Sequence, residues 1–210
     1  MPLVAAWEQV VLLPLPAGFP VDTLDAFRRD LLQYPGILDV TTLSSIPTKS
    51  EHVATVRLGE PASQEALSAH LFFVDYDFAT VLGLELLAGR SFARDFASDA
   101  GDVIIVNEAL ATHWGETAFD LIGKRLTLAE EGQPEQKAVV IGIIEDVQRC
   151  PDEEVLPAVF TISPRAFRYC AVRIHPDDIP NTVAFIEKTW QAFAPDTPFA
   201  YSFLADAVVE

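Results

Sequence analysis

Hydrophobic residues change their spacing several times along this chain, and each change marks an element. Over 7–13 the apolar run Trp7, Val10, Val11, Leu12 and Leu13 is β-rich and stops at Pro14 and Pro16. From Asp22 onward Leu24, Phe27, Leu31 and Tyr34 recur at three- and four-residue steps, which puts them on one helix face. Pro35-Gly36 stops that helix, and 37–43 returns as a strand. The same order recurs near the C-terminus. A strand over 169–174 precedes Asp178-Ile179-Pro180, which reads as a cap with proline in the first turn. Val183, Ile186, Trp190 and Phe193 then form an apolar stripe, and 199–204 reads as a final strand.

Two βαβ units at opposite ends predict one split βαβ, ferredoxin-like layer, a four-stranded sheet with both helices on one face. Between them the pattern is mostly period two. Strands are expected over 53–58 and 66–74, joined across Gly59-Glu60-Pro61, then a helix over 75–82 leading into Gly89-Arg90-Ser91-Phe92. A short buried strand over 103–106 follows, with Asn107 capping a helix that runs to Trp114. Strands over 126–128 and 137–147 pair across a turn at 130–133. The expected fold is α+β, with residues 1–70 and 149–210 forming the βαβ subdomain and 71–148 an inserted, smaller β-rich lobe. No internal repeat appears beyond the two βαβ ends, and no low-complexity tract.

The composition supports one large core or two small ones: 210 residues, half of them hydrophobic and 10% aromatic. Fourteen basic residues against 31 acidic ones give a net charge of −17, which excludes nucleic acid as a direct partner. No apolar stretch approaches the ~20 residues a membrane helix needs. The longest uncharged run, 9–21, is broken by Pro14, Pro16 and Pro20. Met1-Pro2-Leu3 has neither a basic segment nor a small-residue cleavage site, so two readings stay open here: a cytosolic protein, or a piece of something longer.

Chemistry is sparse. Gly123-Lys124 is followed by Arg125 and has Ala118 where a P-loop begins, so Ile122-Gly123-Lys124 reads as a turn entering a strand. Neither a dinucleotide fingerprint nor a nucleophile elbow is present, because Ser91 is followed by Phe92 and Ala93. His52, His70, His113 and His175 are scattered. Cys150 and Cys170 lack zinc-ligand spacing and read as free thiols, although a disulfide between them in an oxidising compartment stays open. Asp75 and Asp77, the trio Asp95, Asp99 and Asp102, and Glu145-Asp146 all read as solvated loop and cap carboxylates. The expectation is no catalytic residue, no cofactor-binding residue, no metal, and hence no enzyme.

The middle of the chain is more specific. The run Val74-Asp75-Tyr76-Asp77-Phe78-Ala79-Thr80-Val81-Leu82-Gly83-Leu84-Glu85-Leu86-Leu87-Ala88-Gly89-Arg90-Ser91-Phe92 resembles a signature segment of the MacB/FtsX-like ABC transporter permeases. In family order follow Val103-Ile104-Ile105-Val106-Asn107-Glu108-Ala109-Leu110-Ala111, Leu121-Ile122-Gly123-Lys124 and Val140-Ile141-Gly142-Ile143-Ile144-Glu145-Asp146-Val147. Pro35-Gly36-Ile37 upstream and Phe203-Leu204-Ala205-Asp206 downstream extend the resemblance over almost the whole chain. Cys150-Pro151-Asp152-Glu153-Glu154 departs from it, lacking the His and Ser often found there.

The resemblance implies a porter-like βαβ layer with an inserted lobe, held outside the inner membrane on its periplasmic side between two membrane helices. It implies no catalytic residues. The partners it implies are a separate ATPase subunit or domain, a second permease copy, and other envelope proteins. The isolated chain is expected to be a monomer or weak dimer. A different class stays open beside this one: a free-standing acidic module that binds a ligand or peptide.

Overall fold

The structure, a computed structural model, describes residues 7–48, 50–59, 66–96, 99, 101–114, 117–147, 155–163 and 166–209. The elements begin with β1 (Val10–Pro14), α1 (Val21–Leu31), β2 (Ile37–Leu43), β3 (His52–Leu58), β4 (Leu67–Val74) and α2 (Phe78–Leu82). Next come β5 (Leu86–Gly89), β6 (Val103–Asn107), α3 (Glu108–His113), α4 (Ala118–Leu121), β7 (Arg125–Glu130) and β8 (Gln136–Ile144). The last are β9 (Ala158–Ile162), β10 (Tyr169–Ile174), α5 (Ile179–Phe193), β11 (Ser202–Phe203) and α6 (Leu204–Val209). The α+β class expected from the sequence is the class observed.

The two chain ends meet in one layer ordered β11-β1-β10-β2, with all three pairings antiparallel. This is the ferredoxin-like order, in which each βαβ unit leaves room for a strand of the other. The stripes drive it. Leu24, Phe27 and Leu31 of α1 and Ile186 and Trp190 of α5 bury against Val11, Leu13, Val40, Cys170, Val172 and Ile174 on one sheet face. Asp178 precedes α5 as expected but sits in left-handed backbone (φ 60°), its carboxylate accepting from Asn181 Nδ2 instead of capping the helix.

The other strands close on themselves. β4 pairs β3, β3 pairs β7, β7 pairs β8, β8 pairs β6, β6 pairs β9, and β9 returns to pair β4. The result is a six-stranded barrel with β5 added to β8 outside the ring. Its interior holds Ala54, Val56, Leu58, Ala69, Leu71, Ile104, Val106, Leu126, Leu128, Ala138, Val140 and Val159.

Several expectations shift. The division expected at 70/71 falls inside β4, whose ladders with β3 and β9 run across that point. β3, within the range 1–70, and β9, a strand not expected from the sequence within the range 149–210, are barrel staves, with Ala54, Val56, Leu58 and Val159 turned into the barrel interior. The helix expected over 75–82 starts only at Phe78, and the strand expected over 199–204 shrinks to Ser202–Phe203, because Leu204 opens a helix. The departure at 150–154 and any pairing of Cys150 lie outside the described residues. Cys170 is buried, and that burial pushes its thiol up to about 12.

Candidate functional site at the junction of layer and barrel

The sheet face of the layer turned away from α1 and α5 is covered by the barrel. Val10, Leu12, Leu43 and Ala171 of the layer share one buried cluster with Phe72, Val74, Ile105, Ala158, Phe160 and Ile162 of the barrel. The short helix α2 lies inside this cluster. Phe78 is fully buried and stacks on Phe160 with ring centroids 5.2 Å apart, and Phe160 stacks on Phe72 at 5.1 Å. At the other end of α2 two carbonyls left without helical partners are taken up by the layer. Trp7 Nε1 donates to the Leu82 oxygen at 2.9 Å, and Arg173 Nε donates to the Val81 oxygen at 2.7 Å. One five-residue helix therefore grips both units, by aromatic stacking on one side and charge-assisted bonding on the other.

Ionic groups ring this junction. Arg28 on α1 is within 3.6 Å of Asp39 on β2 and 3.7 Å of Asp75, and it donates to Asp77. Arg94 donates to Asp75 at 3.0 Å and Asp77 at 3.2 Å, with its guanidinium 4.5 Å over the Tyr76 ring. Burial, with Asp77 adding to it, holds Asp39 above the usual carboxylate range. Asp75 is not the solvated carboxylate expected, since its side chain is 13% exposed within this network.

The Gly89-Arg90 pair of the signature has a packing reason. A Cβ on Gly89 would lie 2.1 Å from the Ile141 carbonyl oxygen, and one on Gly142 would lie 2.4 Å from the Arg90 carbonyl oxygen. Only bare backbone fits where β5 crosses β8. Arg90 then reaches Asp99 with two bonds, at 2.7 and 2.9 Å, and Asp99 also accepts from the Ala93 amide. Asp99 is fully buried, which corrects its reading as a solvated loop acid, and its hydrogen bonds raise the Arg90 pKa.

Asn107 caps α3 as expected, accepting from the Leu110 amide, and the same oxygen accepts from the Ala158 amide of β9. Its amide group donates to the Leu156 carbonyl. Asp146 accepts from the Ala109 amide, and burial raises its pKa. Two signature segments far apart in sequence thus meet at the start of α3. The Ile122-Gly123-Lys124 turn enters β7 as expected, with Gly123 at φ 81°.

Arg28, Asp39, Arg94 and Asp99 were not singled out as functional from sequence. The histidines stay apart: His52 on β3 meets Glu130 on the adjacent strand β7 at 2.7 Å, and His175 meets Asp177 at 3.3 Å on the surface. Among the described residues no helix is long and apolar enough to cross a membrane.

Residues 8–185 match the family described as the MacB-like periplasmic core domain. The chain belongs to that family. The periplasmic region of MacB from Actinobacillus actinomycetemcomitans superposes with a TM-score of 0.65 at 14% identity, covering 97% of this chain and 92% of that one. The extracellular domain of the noncanonic ABC-type transporter YknZ from Gram-positive bacteria gives 0.61 at 16%, covering 92% and 97%. A domain of a putative permease protein from Porphyromonas gingivalis gives 0.59 at 18%, covering 94% and 90%. At these identities the structural likenesses show the fold. Among curated proteins none matches. In this core domain the segment from the Asp75 turn through α2 to Arg90 builds the junction.

Proposed function

We propose that this core domain belongs to an ABC transporter permease subunit, stands on the periplasmic side of the inner membrane, and relays ATP-driven motion outward as one rigid body. ATP is hydrolysed by a separate subunit or domain, and a second permease copy supplies the partner across the membrane. The observation that carries the reading is the shared core around α2. A displacement applied to the layer reaches the barrel through Phe78 and Phe160 without crossing a solvated hinge. β1 and β11 lie side by side, Val11 opposite Phe203, so force entering at either chain end acts on the same sheet.

The test uses the permease that carries this domain, reconstituted with its ATPase. Phe78→Leu loosens the junction while keeping an apolar side chain. The expected result is ATP hydrolysis near the unaltered level with fewer substrate molecules moved per ATP. An unchanged ratio in a folded variant would contradict the relay. The isolated chain, at −17, is expected to run as a monomer at micromolar concentration and low salt by light scattering.

A further inference from the structure

One end of the barrel is open. β3 and β8 begin there, and β4, β7 and β9 end there. At that end the inward alternation of the core residues continues to His52, Phe73, Glu130, Gln136 and Ser163. These five wall a cavity of about 680 Å³ whose floor is Ala54, Leu71 and Leu128. Small-molecule sites of ~300–1,000 Å³ are usual, and barrel mouths are among their preferred places. The wall groups reach into the opening, since the His52 and Glu130 side chains are 32% and 25% exposed.

The donors and acceptors in the mouth set the chemical class. His52 Nδ1 lies 2.7 Å from Glu130 Oε1, and an ionised carboxylate only accepts, so that ring N–H is already committed. Glu130 keeps the lone pairs of its second oxygen. Gln136 donates from Nε2 to the Gly101 carbonyl at 2.6 Å, which anchors the amide by its nitrogen end and leaves its oxygen open. Gln136 pairs with Leu128, so Glu130 stands on the diagonal of the same face, a spacing that one small group can bridge. The other charged wall residues, Glu135 and Lys137, stand at the rim. Glu135 approaches Arg57 at 3.8 Å, and Lys137 alternates outward between Gln136 and the buried Ala138. Beside these acceptors the rings of His52 and Phe73 meet edge to face at 5.1 Å and form an apolar wall. An anion is repelled by Glu130, and a purely apolar molecule leaves both acceptors dry.

We propose that the barrel mouth binds a small organic cation, a primary ammonium carried on an apolar body. The ammonium donates to Glu130 and to Gln136 Oε1, and the body lies against Phe73 above the Leu71 and Leu128 floor. The net charge of −17 draws such a cation toward the chain, and the acceptors select it by its N–H groups. The site stands whether or not the domain relays motion.

The purified chain is titrated with 2-phenylethylammonium by calorimetry and thermal shift. Two analogues are run beside it: 2-phenylethanol, which lacks the charge, and trimethyl(2-phenylethyl)ammonium, which keeps the charge and lacks the N–H groups. Saturable binding of the primary ammonium that raises the melting temperature is expected, with each analogue weaker by about tenfold or more. Amide resonances at 52–54, 71–73 and 128–130 should shift with occupancy. Glu130→Gln keeps an oxygen for His52 and should weaken the ammonium by about tenfold while leaving 2-phenylethanol unchanged. Glu187→Gln, which removes an exposed charge on α5, should change neither. If Glu130→Gln does not fold, the two analogues on the unaltered chain decide the matter. No saturable binding of phenylethylammonium or of the smaller butylammonium at millimolar concentration would overturn the proposal. Equal binding of the trimethyl analogue, resonance shifts confined to other regions, or an equal loss in Glu187→Gln would overturn it as well, the last by showing only diffuse attraction to an acidic chain.

Discussion

The layer and the barrel solve the same burial problem with different side chains. Under its two helices the layer packs large aromatics: Phe27 and Trp190 meet edge to face at 5.7 Å, and Phe19 stacks on Trp190. The barrel core is filled by Ala54, Ala69 and Ala138 among branched aliphatics, with Leu110, Ala111 and Leu121 of α3 and α4 joining the same cluster. A helix can shift on a sheet to suit a bulky side chain, whereas a closed six-stranded ring fixes its own radius. The layer is therefore vulnerable to lost volume and the barrel to added volume.

The largest expected effect tests the first half of that contrast. Trp190→Ala removes a side chain that is 2% exposed and whose indole donates to the Thr197 carbonyl at 3.2 Å. A loss of about 3–5 kcal/mol in urea unfolding is expected. A loss below about 1 kcal/mol would mean that α1 and α5 collapse into the space, and that the layer is not jigsaw-packed.

Ala138→Leu tests the second half. Ala138 is 1% exposed inside the ring, and the extra atoms force neighbouring strands outward, for an expected loss of about 1–3 kcal/mol. A neutral or stabilising result would show an interior with spare room.

These two regions were unequally legible in the sequence. Leu24, Phe27 and Leu31 announce α1 by spacing alone, and the matching stripe before Phe193 announces α5, so the layer follows from local pattern. Barrel closure has no local signal. β9 carries five consecutive buried residues, which period-two reading does not separate from a loop or helix fragment. Its parallel pairing with β4 joins His70 to Ala158 and Val74 to Ile162 across a long stretch of chain. The junction was half legible. Its signature residues stood out as a family resemblance, yet Arg28 lies on the polar side of an amphipathic helix and Asp99 in an acidic loop, where sequence alone gives solvent as the default partner. What buries them is the folding of α1 against the 75–77 turn and the return of Arg90 toward its own loop.

The smallest expected effect concerns the edge of the junction. Burial, together with Glu108 and Glu145, raises the pKa of Asp146 above its ordinary value, so the folded state binds its proton more tightly than the unfolded one. The ionised form carries the cost. That cost is absent below the unfolded value of ~3.9 and appears as pH rises through the folded value. Asp146→Asn keeps an oxygen for the Ala109 amide and has no charge. It should raise the melting temperature slightly at pH 7, with the gain fading toward pH 3. A gain independent of pH would assign the effect to packing instead.

The central claim is that layer, junction and barrel form one cooperative body, and the three tryptophans report on each part. Trp7 lies in the shared core, Trp190 in the layer, and Trp114 packs against the barrel core. With 5-fluorotryptophan in all three positions, the fluorine resonances followed through a urea titration give one midpoint per region from the same sample. The prediction is a single midpoint for all three. Trp114 and Trp190 transitions separated by more than about 0.5 M urea would contradict it, because a barrel that unfolds apart from the layer cannot be driven by it as a rigid body.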